Sequence, residues 1–175
     1  MSKSYKEIMN GIRAFVLDVD GVLTDSSVLI TTTGEVLRTM NIRDGYAIRE
    51  AVQQGFRVAV ISGGSNEGVR KRLESLGVTD IELGVPDKLE SFRNLLERYG
   101  LEASSVLYMG DDIPDFPAMQ LAGLAACPQD AAPEIKAVCT YVSHRNGGHG
   151  AARDVIEQVL KVQGKWMDSF NAKCD

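Results

Sequence analysis

An α/β fold, a three-layer Rossmann-like parallel sheet with a small β-hairpin inserted after the first strand, is predicted by three observations. Short apolar runs alternate with segments whose apolar residues recur at helical spacing, those segments stop at glycines, and acid-rich clusters stand where the apolar runs end. Such alternation implies parallel strands joined by helical crossovers, and in open sheets of this kind ligands bind beyond the carboxyl ends of the strands. With 175 residues the expected organisation is one domain over 1–175.

The first strand is Ala14 to Leu17, an apolar run that breaks off at Asp18-Val-Asp-Gly. Val28-Leu-Ile and Glu35-Val-Leu-Arg flank a Thr-Thr-Thr-Gly turn and predict the hairpin, an insertion over about 26–38. Asp44 to Gln54 predicts a helix opened by its acidic residue and closed at Gly55, followed by a strand from Arg57 to Ile61 that ends in Ser62-Gly-Gly-Ser. Helices are expected over Asn66 to Leu76, Lys88 to Tyr99, Asp115 to Ala122, Ala132 to Val138 and Ala151 to Val162. Strands are expected over Asp80 to Leu83, Val106 to Met109 and Leu124 to Cys127, with a short apolar Tyr141-Val. Gly147 to Gly150 reads as a flexible hinge or a helix-entry loop, and 164–175 as a tail anchored by Trp166 and Met167.

Composition narrows the function. Asp and Glu outnumber Lys and Arg 24 to 19, so nothing draws the surface as a whole to nucleic acid or an anionic membrane, and an anionic substrate needs a local cation or a metal. No apolar run approaches the roughly 20 residues of a membrane-spanning helix, and Met1 to Gly11 is polar, which predicts a cytoplasmic protein. Cys127, Cys139 and Cys174 lack metal or redox spacing and are expected as free thiols, two buried and one in the tail; His144 and His149 read as loop residues.

The chemistry gathers at the strand ends. Asp18 and Asp20 would face opposite ways on a regular strand and share a site only if the chain bends, which Gly21 permits. One carboxylate can then attack phosphorus while the other serves the leaving oxygen and the water. Several carboxylates beside a phosphate repel one another unless a cation intervenes, and magnesium favours oxygen ligands of this kind. Asp111 is the first choice as partner to Asp18, with Asp112 and Asp115 in support. Lys88 offers a point charge to a phosphoryl group, and Ser62 with Gly63 a hydroxyl and open backbone N–H groups. Each of these residues alone also reads as a cap or a solvated side chain; the argument rests on four clusters falling in order at strand ends.

Asp18-Val-Asp-Gly-Val-Leu-Thr-Asp, Ser62, Lys88 and Gly110-Asp-Asp-Ile-Pro-Asp resemble the four ordered motifs of the haloacid dehalogenase superfamily phosphatases. The resemblance implies Asp18 as nucleophile, Asp20 as acid and base, Ser62 and Lys88 at the phosphate, and magnesium held by Asp18, Asp111 and the backbone carbonyl of Asp20. With room only for a hairpin where relatives carry caps, the chain is similar to a capless subfamily, extending to Asn41-Ile-Arg-Asp-Gly and Gly147-Gly-His-Gly-Ala-Ala-Arg-Asp. That subfamily implies a homotetramer whose hairpins form a central barrel, and a sugar-acid phosphate substrate. Gly64 stands where relatives acting on nine-carbon sugar acids carry glutamate, which favours the eight-carbon 3-deoxy-D-manno-octulosonate 8-phosphate, a lipopolysaccharide precursor. Arg70 is the candidate for the substrate carboxylate, or else a solvent-facing helix residue. A phospho-accepting receiver domain or a non-catalytic scaffold remain as alternatives of another class.

Overall fold

The computed structural model describes residues 4–167. The elements are α1 (Tyr5–Gly11), β1 (Ala14–Leu17), β2 (Leu29–Ile30), β3 (Val36–Leu37), α2 (Ile42–Gln53), β4 (Arg57–Ser62), α3 (Glu67–Ser75) and β5 (Asp80–Leu83). They continue with α4 (Lys88–Tyr99), β6 (Val106–Met109), α5 (Phe116–Leu121), β7 (Leu124–Cys127), α6 (Pro133–Val138), β8 (Tyr141–Val142) and α7 (Ala151–Val162).

Six strands form one sheet in the order β5-β4-β1-β6-β7-β8, every pairing parallel. Alternate residues of the central strands serve opposite faces, as the two-residue strand period requires. Phe15 and Leu17 of β1 join Met9, Ile48, Leu73 and Ile156 on the side of α1, α2, α3 and α7. Ala14 and Val16 join Phe92, Met119 and Ile135 on the side of α4, α5 and α6. Layered helix–sheet–helix packing follows because β1, β6 and β7 are buried along their whole length.

From β1 the chain runs outward through β4 to β5, then returns across β1 to lay down β6, β7 and β8. The reversal lies between β1 and β6, so the crevice expected to hold a ligand opens beyond Leu17 and Met109.

Several boundaries differ from expectation for local reasons. Helix α2 starts at Ile42 because Asn41, not Asp44, is its cap, accepting from Arg43 N at 2.8 Å. Asp44 is buried and instead accepts from Gly150 N (3.2 Å) and Arg153 N (2.7 Å) at the start of α7. Prolines 114 and 117 split the segment from Ile113 into a 3₁₀ turn, Ile113–Asp115, and the shorter α5. Helix α1 was not expected from the polar N-terminal stretch; Ser4 and Glu7 close a reciprocal capping box that starts it.

The glycine-rich segment before α7 is a packed entry loop. Gly148 N donates to Val22 O at 3.0 Å, Asn41 Nδ2 donates to Gly148 O at 3.2 Å, and a Cβ on Gly147 would overlap the Gly21 carbonyl. Nearby, His149 Nδ1 lies 2.8 Å from Gly147 O and His144 stands 3.4 Å from Asp154. Trp166 packs edge-on against Tyr46, whereas Met167 is half exposed. Cys127 is buried, Cys139 is half-buried and neither forms a disulfide; Cys174 lies outside the described residues. Among the described residues no helix is long and apolar enough to cross a membrane.

Candidate active site

The chain leaves β1 at Asp18 and makes one tight turn, Val19–Leu23, closed by Thr24 N donating to Val19 O at 3.0 Å. Gly21 takes φ +89°, a left-handed conformation, and a Cβ there would overlap the Asp111 carboxylate. The bend needed to bring Asp18 and Asp20 to one site is therefore present, and it also clears the space that Asp111 occupies.

Lys88 begins α4, whose cap is Asp87. A cation at a helix N-terminus has the wrong sign for the helix dipole, so something else must hold it there. Its ammonium donates to Asp18 Oδ2 at 2.7 Å and Asp115 Oδ1 at 2.8 Å, with all three side chains buried. Asp18 also accepts from Val19 N at 2.7 Å, and Asp115 from the Tyr108 hydroxyl at 3.2 Å and Asp111 N at 3.3 Å. Gly110 is required beside it, because a Cβ there would overlap the Asp115 side chain.

Carboxylate oxygens of Asp18, Asp111 and Asp115 come within 4.8 Å of one another. One ammonium does not balance three carboxylates, and the imbalance acts on the acidities of Asp18 and Asp111. Burial, then the neighbouring Asp115, pushes Asp18 up to about 6; burial, then Asp18 and Asp115, pushes Asp111 up to about 7. For Lys88 burial opposes the charge, but Asp18 and Asp115 outweigh it and leave its pKa raised. An all-oxygen donor set with excess negative charge fits a hard divalent cation such as magnesium.

Asp18, Asp20, Ser62, Gly63, Gly64, Lys88, Asp111, Asp112 and Asp115 all line one cleft of about 310 Å³. Ser62 ends β4, the strand between β1 and β5, and its hydroxyl accepts from Gly64 N at 3.3 Å. The placements of four residues sharpen the expectations. Asp115 belongs to the carboxylate cluster itself, whereas the Asp20 side chain lies outside it, gripped by Arg38 through Nε (2.6 Å) and Nη2 (2.9 Å). Asp112 turns its carboxylate to Ile113 N at 2.8 Å rather than to the cluster. Arg70 is not brought to the cleft: it points toward β5, donating to Ile81 O at 3.2 Å. Sequence reasoning missed Arg38, Tyr108 and Ser26; the last lines the cleft with a φ of 63°, unusual for a residue other than glycine. A separate cleft between Arg43, Arg145 and Arg153 contains none of the expected site residues.

The model of the haloacid dehalogenase-like hydrolases matches residues 33–123. The chain belongs to that family. Haloacid dehalogenase-like hydrolases similar to it include the 3-deoxy-D-manno-octulosonate 8-phosphate phosphatase KdsC of Salmonella typhi, 40% identical over 88% of this chain and 82% of the relative. The crystal structure of the phosphatase of that name from Yersinia pestis aligns at a TM-score of 0.91, 34% identical over 93% of this chain and 88% of that one. The Moraxella catarrhalis phosphatase of the same name, solved with magnesium, phosphate and KDO, aligns at 0.89 with 33% identity over 91% of each chain. Family membership removes the receiver-domain alternative, since the chain is a haloacid dehalogenase-like hydrolase.

Proposed function

We propose that this hydrolase is a magnesium-dependent phosphatase that removes phosphate from 3-deoxy-D-manno-octulosonate 8-phosphate, a lipopolysaccharide sugar precursor. The observation that carries the reading is the buried Lys88 held between Asp18 and Asp115, with Asp111 completing a carboxylate cluster at the open end of the sheet. The relatives named for this substrate and the magnesium in one of their structures support it.

Asp18 is the nucleophile: a carboxylate oxygen bonds to phosphorus as the bond to the sugar oxygen breaks. Asp20 gives its proton to that leaving oxygen, then takes a proton from the water that hydrolyses the aspartyl phosphate, releasing phosphate and restoring Asp18. Lys88 keeps the Asp18 carboxylate oriented and neutralises charge beside it, while the Ser62 hydroxyl and the Gly63 backbone offer donors to phosphoryl oxygens. Asp18 and Asp111, with Asp115 beside them and the Asp20 carbonyl, are the groups that would hold magnesium. When bound, magnesium supplies positive charge to the phosphoryl oxygens. Asp112 caps the turn through Ile113 N and, from the same cleft, supports the metal site beside Asp111.

The reading extends to a cytoplasmic homotetramer of single-domain chains. The hairpin supports assembly: Leu29 and Ile30 are each 67% exposed, and both of its strands are two residues long with no further pairing among the described residues.

The test is phosphate release from 3-deoxy-D-manno-octulosonate 8-phosphate, a nine-carbon sugar-acid 9-phosphate and simple phosphomonoesters, with magnesium and with chelator. Magnesium-dependent preference for the eight-carbon ester is expected. Preference for the nine-carbon ester would transfer the assignment to that substrate, and no release from any ester would sink the reading.

A further inference from the structure

Asp20 is held by a residue that no motif contains. Arg38, just past β3 at the foot of the hairpin, lays its guanidinium along the Asp20 carboxylate: Nε meets Oδ1 at 2.6 Å and Nη2 meets Oδ2 at 2.9 Å. The arginine side chain is 10% exposed, and its third nitrogen, Nη1, is buried with no protein partner among the described residues. A two-point grip of this geometry fixes both the position and the rotation of a carboxyl group, which a single ammonium cannot do. Two neighbours fit around the pair. Asn66 Nδ2 ties the hairpin stem to the loop after β4 through Val36 O at 2.9 Å. A Cβ at position 64 would stand 2.9 Å from Asp20 Oδ2 and 3.2 Å from Arg38 Nη2, so the glycine leaves room that the pair uses.

We infer that Arg38 is a positioning residue that aims the Asp20 carboxyl at the leaving-group oxygen, and that Gly64 is small because this pair occupies the space beside it. The inference rests on the phosphatase reading. In the first chemical step the Asp18–phosphorus bond forms, the phosphorus–oxygen bond to the alcohol breaks, and the alcohol oxygen takes the Asp20 proton. Oδ1 accepts from Arg38 Nε and, at 3.5 Å, from the Thr24 hydroxyl, whereas Oδ2 accepts only from Arg38 Nη2 and keeps a second acceptor site, so the grip leaves room for that proton on Oδ2. A misaimed acid slows only those esters whose leaving oxygen needs a proton.

The experiment compares kcat/KM for 3-deoxy-D-manno-octulosonate 8-phosphate, a primary alkyl ester, with that for p-nitrophenyl phosphate, whose nitrophenolate departs unprotonated. The parameter covers only the steps through phosphoryl transfer, so later hydrolysis of the aspartyl phosphate does not enter. Arg38→Met is expected to lose about 100-fold on the alkyl ester, the lower end of general-acid contributions, and less than about threefold on the aryl ester. Arg38→Lys should recover part of the alkyl activity. The ratio of the two activities does not depend on how much of a variant is folded. Equal losses on both esters, or no loss on either, overturn the inference. If the wild type prefers a different alkyl phosphate, the substrate assignment fails and the same ratio measured on that ester still decides the role of Arg38. If the wild type cleaves no ester, both fail together.

Discussion

Lys88 and Asp18 depend on each other in a way that separates catalysis from folding. The ammonium is shared between Asp18 and Asp115, so removing the charge of Asp18 leaves Lys88 one buried carboxylate partner and relieves repulsion among three. Asp18→Asn should therefore lower phosphate release by about 10⁴-fold or more while the thermal midpoint stays within about 3 °C. Phosphate assay and circular dichroism on the same preparation check this; wild-type turnover would remove Asp18 from the nucleophile's role. At this scale the sequence was most informative where a polar residue interrupts an apolar run. Asp18, Ser62 and Asp111 stand out because each falls at or just beyond the end of a buried strand, and Lys88 because it opens a helix. Tyr108 stayed hidden because it lies inside such a run, where nothing in the pattern distinguishes a hydroxyl aimed at Asp115 from ordinary core. Arg38 stayed hidden because its partner is 18 residues away across a hairpin, a separation with no periodicity to read.

Among the elements, edge strand β5 carries an ion-pair network that sets an acid limit on stability. Burial raises the pKa of Asp80, but hydrogen bonds from the Tyr99 hydroxyl and Arg57 outweigh it, and the net shift is downward. A lowered carboxylate contributes stability that is complete above its unfolded value near pH 4 and is lost as pH falls through the lower folded value. Asp80→Asn should cost about 1–2 kcal/mol at pH 7, and its denaturation curve should converge with the wild type as pH falls below the ordinary carboxylate value near 4; curves that stay parallel would refute this. The turn after β1 makes a second prediction. Gly21→Ala combines a strained φ of +89° with overlap of Asp111, so the rise in thermal midpoint on adding magnesium, roughly 5–10 °C at saturating metal, should vanish in the variant. Differential scanning calorimetry with magnesium and with chelator reads both. Helix ends marked by glycine, such as α4 before the left-handed Gly100, were legible from sequence to the residue. Helix starts were less so: Asn41 and Asp44 are both good caps, and only the fold reveals that Asp44 caps α7, more than 100 residues away. The start of α1 did carry a readable signal, Ser4 and Glu7 at capping-box spacing.

For the whole molecule, the order of strands follows from the alternation of elements, but the surface to be covered does not. The hairpin exposes Leu29, Ile30 and Leu37 in a chain whose other large apolar side chains are mostly buried. In sedimentation velocity the wild type should move as a tetramer of 19.0 kDa chains, and Leu29→Asp with Ile30→Asp should shift it toward single chains. A wild type sedimenting as one chain would end the assembly proposal. A last consequence comes from the loop before α7, seated on Gly21 and Val22 by Gly147 and Gly148. On the ribosome the turn bearing both aspartates is made more than 100 residues before its brace. The newborn polypeptide thus carries its reactive groups long before it can hold them in place. Nascent chains carrying an unstructured C-terminal linker and arrested at successive lengths should release no phosphate until Gly150 has cleared the exit tunnel, so hydrolysis waits for the brace.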